Sequence, residues 1–286
     1  MPIDYVPLHD LSRVLARHSW LYRLRYRYRE YLAEFVGMYI QTIIGLGAIF
    51  TAKLNPDALH QSFFLSSFGW IPGLMMGLFV AQGVSGGHLN PALTVAFAFW
   101  RHFPWRKVPG YIFSQTLGSF AAAATLNLLY LQSLNAYEHH QLTIYGPTAT
   151  ASLYTSVPLK EINNATAFLS EALGTGMIAM GAFAATDGYN MPPKNWTPLA
   201  LGIIVGTMVL CLGFQGGGGL NPAIDLGPRL YTLAAGYGPG MFTLHDHYAW
   251  VPYVAPFCGT VLCGLIYNVV IVYLTILVRG LDWLDK

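Results

Sequence analysis

Asn90 and Asn221 are the side chains in this chain of 286 residues whose setting most invites chemistry. The stretches Gly86-Gly87-His88-Leu89-Asn90-Pro91-Ala92 and Gly218-Gly219-Leu220-Asn221-Pro222-Ala223 read almost alike: glycines, then Leu-Asn-Pro-Ala, then an apolar run. Asn before Pro favours a helix start, because the Asn oxygen caps orphan N–H groups and Pro in the first turn has no N–H to lose. A helix that begins in apolar surroundings turns its positive end toward whatever lies before it. The Asn amide adds N–H donors there. Such an end orients a neutral molecule that carries a lone pair, a water or a hydroxyl. It does not break bonds, and no nucleophile–base pair, phosphate loop or metal cluster accompanies it. His139-His140 and His245-Asp246-His247 have the spacing of metal ligands but read as solvated loop histidines.

The elements that must position these residues are membrane-spanning. The chain is 54% hydrophobic and only 10% charged, against about 25% charged in soluble domains. A bilayer core needs roughly 20 apolar residues per helix. Spans of that kind are predicted near 31–52, 62–82, 107–132, 165–187, 198–215 and 250–279, with no cleavable signal before them. The segments near 90–100 and 221–233 are too short to cross and are predicted as half-helices that enter and leave by one face. Cys211, Cys258 and Cys263 lie in apolar runs and read as buried thiols.

Basic residues set the orientation. Arg13, Arg17, Arg23, Arg25, Arg27 and Arg29 precede the first span, Arg101, Arg106 and Lys107 follow the second, Lys194 follows the fourth, and Arg279 and Lys286 end the chain. The other side has Lys53 and Lys160. This bias predicts both termini in the cytoplasm, and an external surface loop at about 133–164. Asn164-Ala165-Thr166 there is a glycosylation triplet.

The two halves are related throughout. Ala33-Glu34-Phe35-Val36-Gly37 answers to Ser170-Glu171-Ala172-Leu173-Gly174, Gly73 and Gly77 to Gly202 and Gly206, and Gln115-Thr116-Leu117-Gly118 to Pro256-Phe257-Cys258-Gly259. Three spans per half is an odd number, so the halves are predicted to be inverted, and their half-helices to come from opposite faces and meet near the midplane.

These paired Asn-Pro-Ala boxes, with Glu-x-x-Gly in the first and fourth spans, resemble the major intrinsic protein family, the aquaporins and aquaglyceroporins, over about residues 31–279. The resemblance implies an all-α membrane fold of six transmembrane helices plus two re-entrant half-helices, an inverted three-plus-three repeat, and one pore per subunit of a homotetramer. In domain terms it implies a basic cytosolic segment at 1–30, a channel domain at 31–279 (repeat one to about 132, external loop 133–164, repeat two from 165) and a cytosolic tail at 280–286. Asn90, Pro91, Ala92, Asn221, Pro222 and Ala223 would form the pore centre. Carbonyls of Gly86, Gly87, His88, Gly217, Gly218 and Gly219 would line it, a use of irregular backbone that membranes tolerate beside water. Glu34 and Glu171 would hold the re-entrant backbone. No enzyme activity, cofactor, metal or nucleic-acid partner is implied.

Asp225 and Arg229, and Pro256, look like the glycerol-conducting branch; Phe257 departs from it. Trp70 matches the aromatic wall of that branch's selectivity filter, with Val209 beside it. The filter itself departs most. The family has Arg directly after the second Asn-Pro-Ala and this chain has Ile224; the branch has a bulky side chain where Gly218 stands. Arg229 is too far along to replace the missing Arg, and with Asp225 it reads as structural support. The expected function is a passive channel, in the plasma membrane, for water and small uncharged solutes such as glycerol. The mouth is expected to be wide and apolar, ions to be excluded, and protons largely so because the half-helix dipoles remain. The alternatives are a gated or closed channel fold with a structural role, or a coupled small-solute transporter. The run from Trp20 to Arg29 reads as a lipid-surface anchor, or as a plug whose Tyr26 or Tyr28 reaches the pore mouth.

Overall fold

The computed structural model describes residues 19–55, 63–188 and 194–273. The expected tail at 280–286, the last residues of the sixth expected span, and Arg13, Arg17, Arg279 and Lys286 lie outside these.

A short helix, α1 (Trp20–Arg27), is followed by α2 (Arg29–Leu54), α3 (Phe63–Phe68), α4 (Trp70–Ser85), α5 (Pro91–Trp100), α6 (Val108–Tyr137), α7 (Asn164–Thr186), α8 (Thr197–Gly216), α9 (Pro222–Ala235) and α10 (Val251–Ile266), which continues as a π-helical turn over Tyr267–Tyr273. Among the described residues, six stretches are long and apolar enough to cross a membrane: Arg29–Leu54, Phe63–Ser85, Trp105–Tyr137, Asn164–Thr186, Thr197–Gly216 and Leu244–Tyr273. The shorter α5 and α9 do not reach that length.

Packing repeats between the halves. In the first, α2 packs on α4 and α6; in the second, α7 packs on α8 and α10. The closest crossings are made by glycines at matched places. A Cβ on Gly118 of α6 would strike the carbonyl oxygen of Phe35 in α2, and one on Gly259 of α10 would strike that of Ala172 in α7. Phe35 and Ala172 each follow the repeat-related glutamate. Small residues let helix backbones approach where lipid offers no hydrophobic drive to association.

The chain re-enters twice. α4 ends at Ser85 beside Tyr111 and the Glu30–Lys107 ion pair, whose Nζ to carboxylate distance is 2.6 Å. Residues 86–90 then turn inward, and α5 runs back out to Arg101, which donates to Asn268 at 3.0 Å. α8 ends at Gly216, capped by the Tyr248 hydroxyl. Residues 217–221 turn inward, and α9 runs back out to Tyr237, beside Glu138 and Thr150. The half-helices therefore enter from opposite faces, one rich in basic residues and one formed by the 138–163 loop.

Two expectations are corrected. Cys211 and Cys258 are exposed on the outside of the bundle, and only Cys263 is buried. An apolar run in a spanning helix faces lipid on one side and protein on the other, so hydropathy alone does not tell a lipid-facing thiol from a core one. The 133–164 region is not simply a surface loop. α6 extends to Tyr137, and Thr150, Ala151, Leu153, Tyr154, Thr155 and Ser156 are buried. The loop dips into the bundle because its polar groups find partners there: Tyr154 donates to Asn127 at 2.6 Å, and Ser156 bonds to Asp225. Thr150 bonds Glu138 and Tyr237, and burial pushes the Tyr237 phenol up to about 12, so it stays a neutral hydroxyl. Asn164 opens α7 with its Nδ2 donating to the Asp246 carbonyl at 2.9 Å.

Candidate functional site: a two-chambered passage

The tips of α5 and α9 touch. Asn90 Nδ2 donates to the Leu220 carbonyl at 3.0 Å, and Asn221 Nδ2 donates to the Leu89 carbonyl at 2.7 Å. Each asparagine also caps its own helix: Asn90 Oδ1 accepts from the N–H of Ala92 at 2.8 Å, and Asn221 Oδ1 from that of Ala223 at 3.1 Å. Pro91 and Pro222 occupy the first helical positions. A carboxamide has two N–H donors. One on each asparagine locks the opposite loop.

The loops before the tips are strained in the same way. Leu89 (φ 45°) and Leu220 (φ 46°) both sit in the left-handed region, which costs a non-glycine residue about 1–3 kcal/mol and persists only where surroundings enforce it. The repeat-related glutamates do so. Glu34 accepts from the N–H groups of His88 and Leu89 at 2.9 and 2.8 Å, and from Ser85 and Gln115 at 2.6 and 2.7 Å. Glu171 accepts from the N–H groups of Gly219 and Leu220 at 2.9 and 2.6 Å. The glycine three residues on makes room for the leucine. A Cβ on Gly37 would come within 2.6 Å of Leu89 Cδ2, and one on Gly174 within 2.7 Å of Leu220 Cδ2. The Glu-x-x-Gly spacing is thus one device: a carboxylate to hold the turned backbone and, one turn along the helix, a notch for its side chain.

Two chambers meet beside these tips. The inner one is lined by Asn90, Asn221, Gln41, His88, the backbone of Gly86 and Gly87, and apolar residues of α4, α7 and α8. The outer one opens toward the loop face and is lined by Phe63, Ser66, Ser67, residues 152–157, Gly217 and Asp225 among others. Trp70, Val209, Gly218, Gly219 and Ile224 line both, so they form the constriction between them. No cation stands among these five. Trp70 is buried against Gly45 rather than placed as a surface anchor.

Arg229 stands apart from the constriction. It is fully buried, and its Nη2 lies 2.8 Å from Asp225 Oδ1. Its Nε also donates to Asp225 Oδ2, and its other donors go to the carbonyls of Ser156 and Met241. The Asp225 bonds stay within α9, while Nη2 also ties α9 to the loop at Ser156 and Nη1 ties it to its own return segment at Met241. His88 packs among Phe97, Phe103 and Tyr111, with ring centroids 4.8, 4.5 and 5.0 Å away, and its Nδ1 lies 3.2 Å from Thr94 Oγ1. Tyr26 and Tyr28 line neither chamber. The Arg29 guanidinium stacks over Tyr26 at 4.1 Å, and Tyr28 faces Tyr31. Cation–π contacts from Arg27 and Arg29 engage the Tyr28 and Tyr26 rings.

Residues not anticipated from the sequence also shape the site. Gln41, two turns after Glu34 on the same face of α2, lines the inner chamber, and its Oε1 has no hydrogen-bond partner. A polar residue inside a span was the available signal. Thr155 and Ser156 of the outer loop gave none, because loop composition does not reveal which segment folds inward.

The major intrinsic protein family model matches residues 22–267. An aquaglyceroporin-2 of Rhizophagus irregularis is 38% identical over 256 residues, covering 89% of this chain and 81% of its own. An aquaporin-7-2 of Laccaria bicolor is 40% identical over 257 residues, covering 87% and 76%. Among solved structures, the aquaglyceroporin from Plasmodium falciparum superposes with a TM-score of 0.78 at 28% identity, covering 87% of this chain and 98% of its own.

Proposed function

The chain belongs to the major intrinsic protein family, and from that premise we propose a passive multi-pass membrane channel that conducts water and small neutral polyols, glycerol first among them. One observation carries the reading: the two asparagine-tipped half-helices are joined by reciprocal hydrogen bonds at the meeting of two chambers. There the remaining Asn N–H donors face a passing hydroxyl while apolar walls take the carbon backbone. The similarity to the Rhizophagus and Plasmodium aquaglyceroporins supports glycerol as solute.

The constriction points to relaxed size selection. Two of its five lining residues are glycines, and Ile224 supplies no charge-assisted donor. Polyols larger than glycerol therefore pass as well, although more slowly. Ions stay excluded, because a cation would face two positive helix ends with its hydration shell stripped. The basic residues gathered with α1 favour a cytoplasmic N-terminus, and the apolar outer surface fits a lipid bilayer and a homotetramer in the plasma membrane.

Stopped-flow light scattering on proteoliposomes tests this. A glycerol gradient should give rapid shrinkage and then reswelling, both faster than in protein-free vesicles and linear in solute concentration. Saturable uptake coupled to an ion gradient would instead mark a coupled transporter.

A further inference from the structure

We propose that Phe63, at the start of α3, is a specificity-determining residue: its ring is the aromatic wall that limits the size of polyols crossing the outer mouth. The inference rests on the channel reading above and deepens it.

One side of the run α3–α4 borders the passage from end to end. Phe63, Ser66, Ser67 and Trp70 line the outer chamber, and Trp70, Leu74 and Leu78 line the inner one. Residues so spaced share one side of a helix. Two more phenylalanines on α3 lie off this stripe. Phe64 and Phe68 are 61% and 50% exposed, stack on each other with ring centroids 6.0 Å apart, and line neither chamber. Of the three rings, only that of Phe63 borders the passage.

Gly218 leaves the constriction without a side chain on its own wall. It lies against Gly213 of α8, where an added Cβ would come within 3.2 Å of Gly218 Cα. The Phe63 ring stands beside this bare contact, its Cζ 3.7 Å from the same Cβ. The Phe214 ring meets it edge to face, with centroids 6.1 Å apart and planes at 83°, so α8 braces the ring. Phe63 is nevertheless 39% exposed and keeps accessible surface at the chamber.

A ring in that place acts on a polyol in two ways. It occupies cross-section that a longer carbon chain needs, and it offers its face to C–H groups while the hydroxyls stay hydrated. Water, smaller than any polyol, is little hindered. Trp70 follows two turns along the same helix side, about 10 Å by helical rise. A solute therefore meets two aromatic walls in succession.

The test is the xylitol-to-glycerol permeability ratio of reconstituted channels, with water permeability measured alongside. The ratio should rise about tenfold in Phe63→Ala, the low end of what an apolar pocket discriminates over one methylene. Phe63→Leu should raise it less, Phe63→Tyr should keep it, and Phe63→Trp should lower it. Phe64→Ala, which removes a ring from the same helix off the stripe, should leave it alone. A purely structural role would move all three permeabilities together and leave the ratio constant. A wild-type ratio in Phe63→Ala and Phe63→Leu, or an equal rise in Phe64→Ala, overturns the inference while the channel reading stands. Wild-type protein that passes no glycerol overturns both.

Discussion

Asn90 donates to the Leu220 carbonyl at 3.0 Å across the centre of the molecule, and Asn221 returns the bond to Leu89. Each half of the chain is thereby built to close on the other, and neither half-helix is positioned without its counterpart. The tips, the strained leucines and the glutamates form one assembly repeated twice.

The glutamates should therefore be worth more to stability than to flux. Glu171→Ala leaves two buried N–H groups, on Gly219 and Leu220, without an acceptor. A buried donor left without a partner costs about 1–3 kcal/mol, so a loss of about 2 kcal/mol or more is expected. The check is thermal unfolding of the purified protein in detergent, compared with Leu169→Ala on the exposed side of the same helix.

Gly259 and Gly83 make a matched pair. A Cβ on Gly259 would collide with the Ala172 carbonyl, whereas one on Gly83 meets nothing within 4 Å. Gly259→Ala should lower the melting temperature and the yield of assembled protein. Gly83→Ala should be neutral or stabilising by up to about 1 kcal/mol, since Ala is the better helix former.

Much of this was legible in the sequence, for a physical reason. Asn-Pro at a helix start, a carboxylate inside an apolar span and a glycine one turn beyond it are local signals, and the duplication doubled each of them. The first five spans came out within a few residues for the same reason, because bilayer thickness fixes their length. What stayed hidden depends on long-range contact. Whether Cys211 faces lipid or protein, and whether residues 150–157 fold inward, is decided by partners far along the chain. Ser156 and Asp225 are 69 residues apart, and no pattern near Ser156 announces Asp225.

The buried ion pair gives a sharper test of that contact. Arg229→Met leaves Asp225 charged and buried without its counterion, which costs about 3–5 kcal/mol. Asp225→Asn combined with Arg229→Met removes both charges and should recover part of the loss. Arg229→Lys keeps the charge but loses the fork that reaches Ser156 and Met241. It should fold and pass glycerol with an altered glycerol-to-water ratio. Chemical denaturation and vesicle flux, measured on the same preparations, check both statements.

Ile224→Arg should narrow the constriction and add a fixed cation. Permeability to polyols larger than glycerol should fall by roughly tenfold, a barrier increment of about 1.4 kcal/mol, with water conduction retained. Vesicle swelling in a series of polyols of increasing length measures the shift in cut-off.

Tyr26→Ala and Tyr28→Ala should leave water flux per channel unchanged, since neither ring lines the passage. A clear rise in either would mark α1 as an obstruction at the mouth.

The central claim is that solute passes between the two chambers through the gap bordered by Ile224. Ile224→Cys, treated with a small impermeant thiol reagent and compared with wild-type protein carrying only its native Cys211, Cys258 and Cys263, tests it most directly. Water and glycerol permeability of the variant should drop to the level of empty vesicles, with excess glycerol slowing the reaction, while wild type keeps its flux. Complete labelling of Ile224→Cys with both permeabilities intact would mean that solutes take another route.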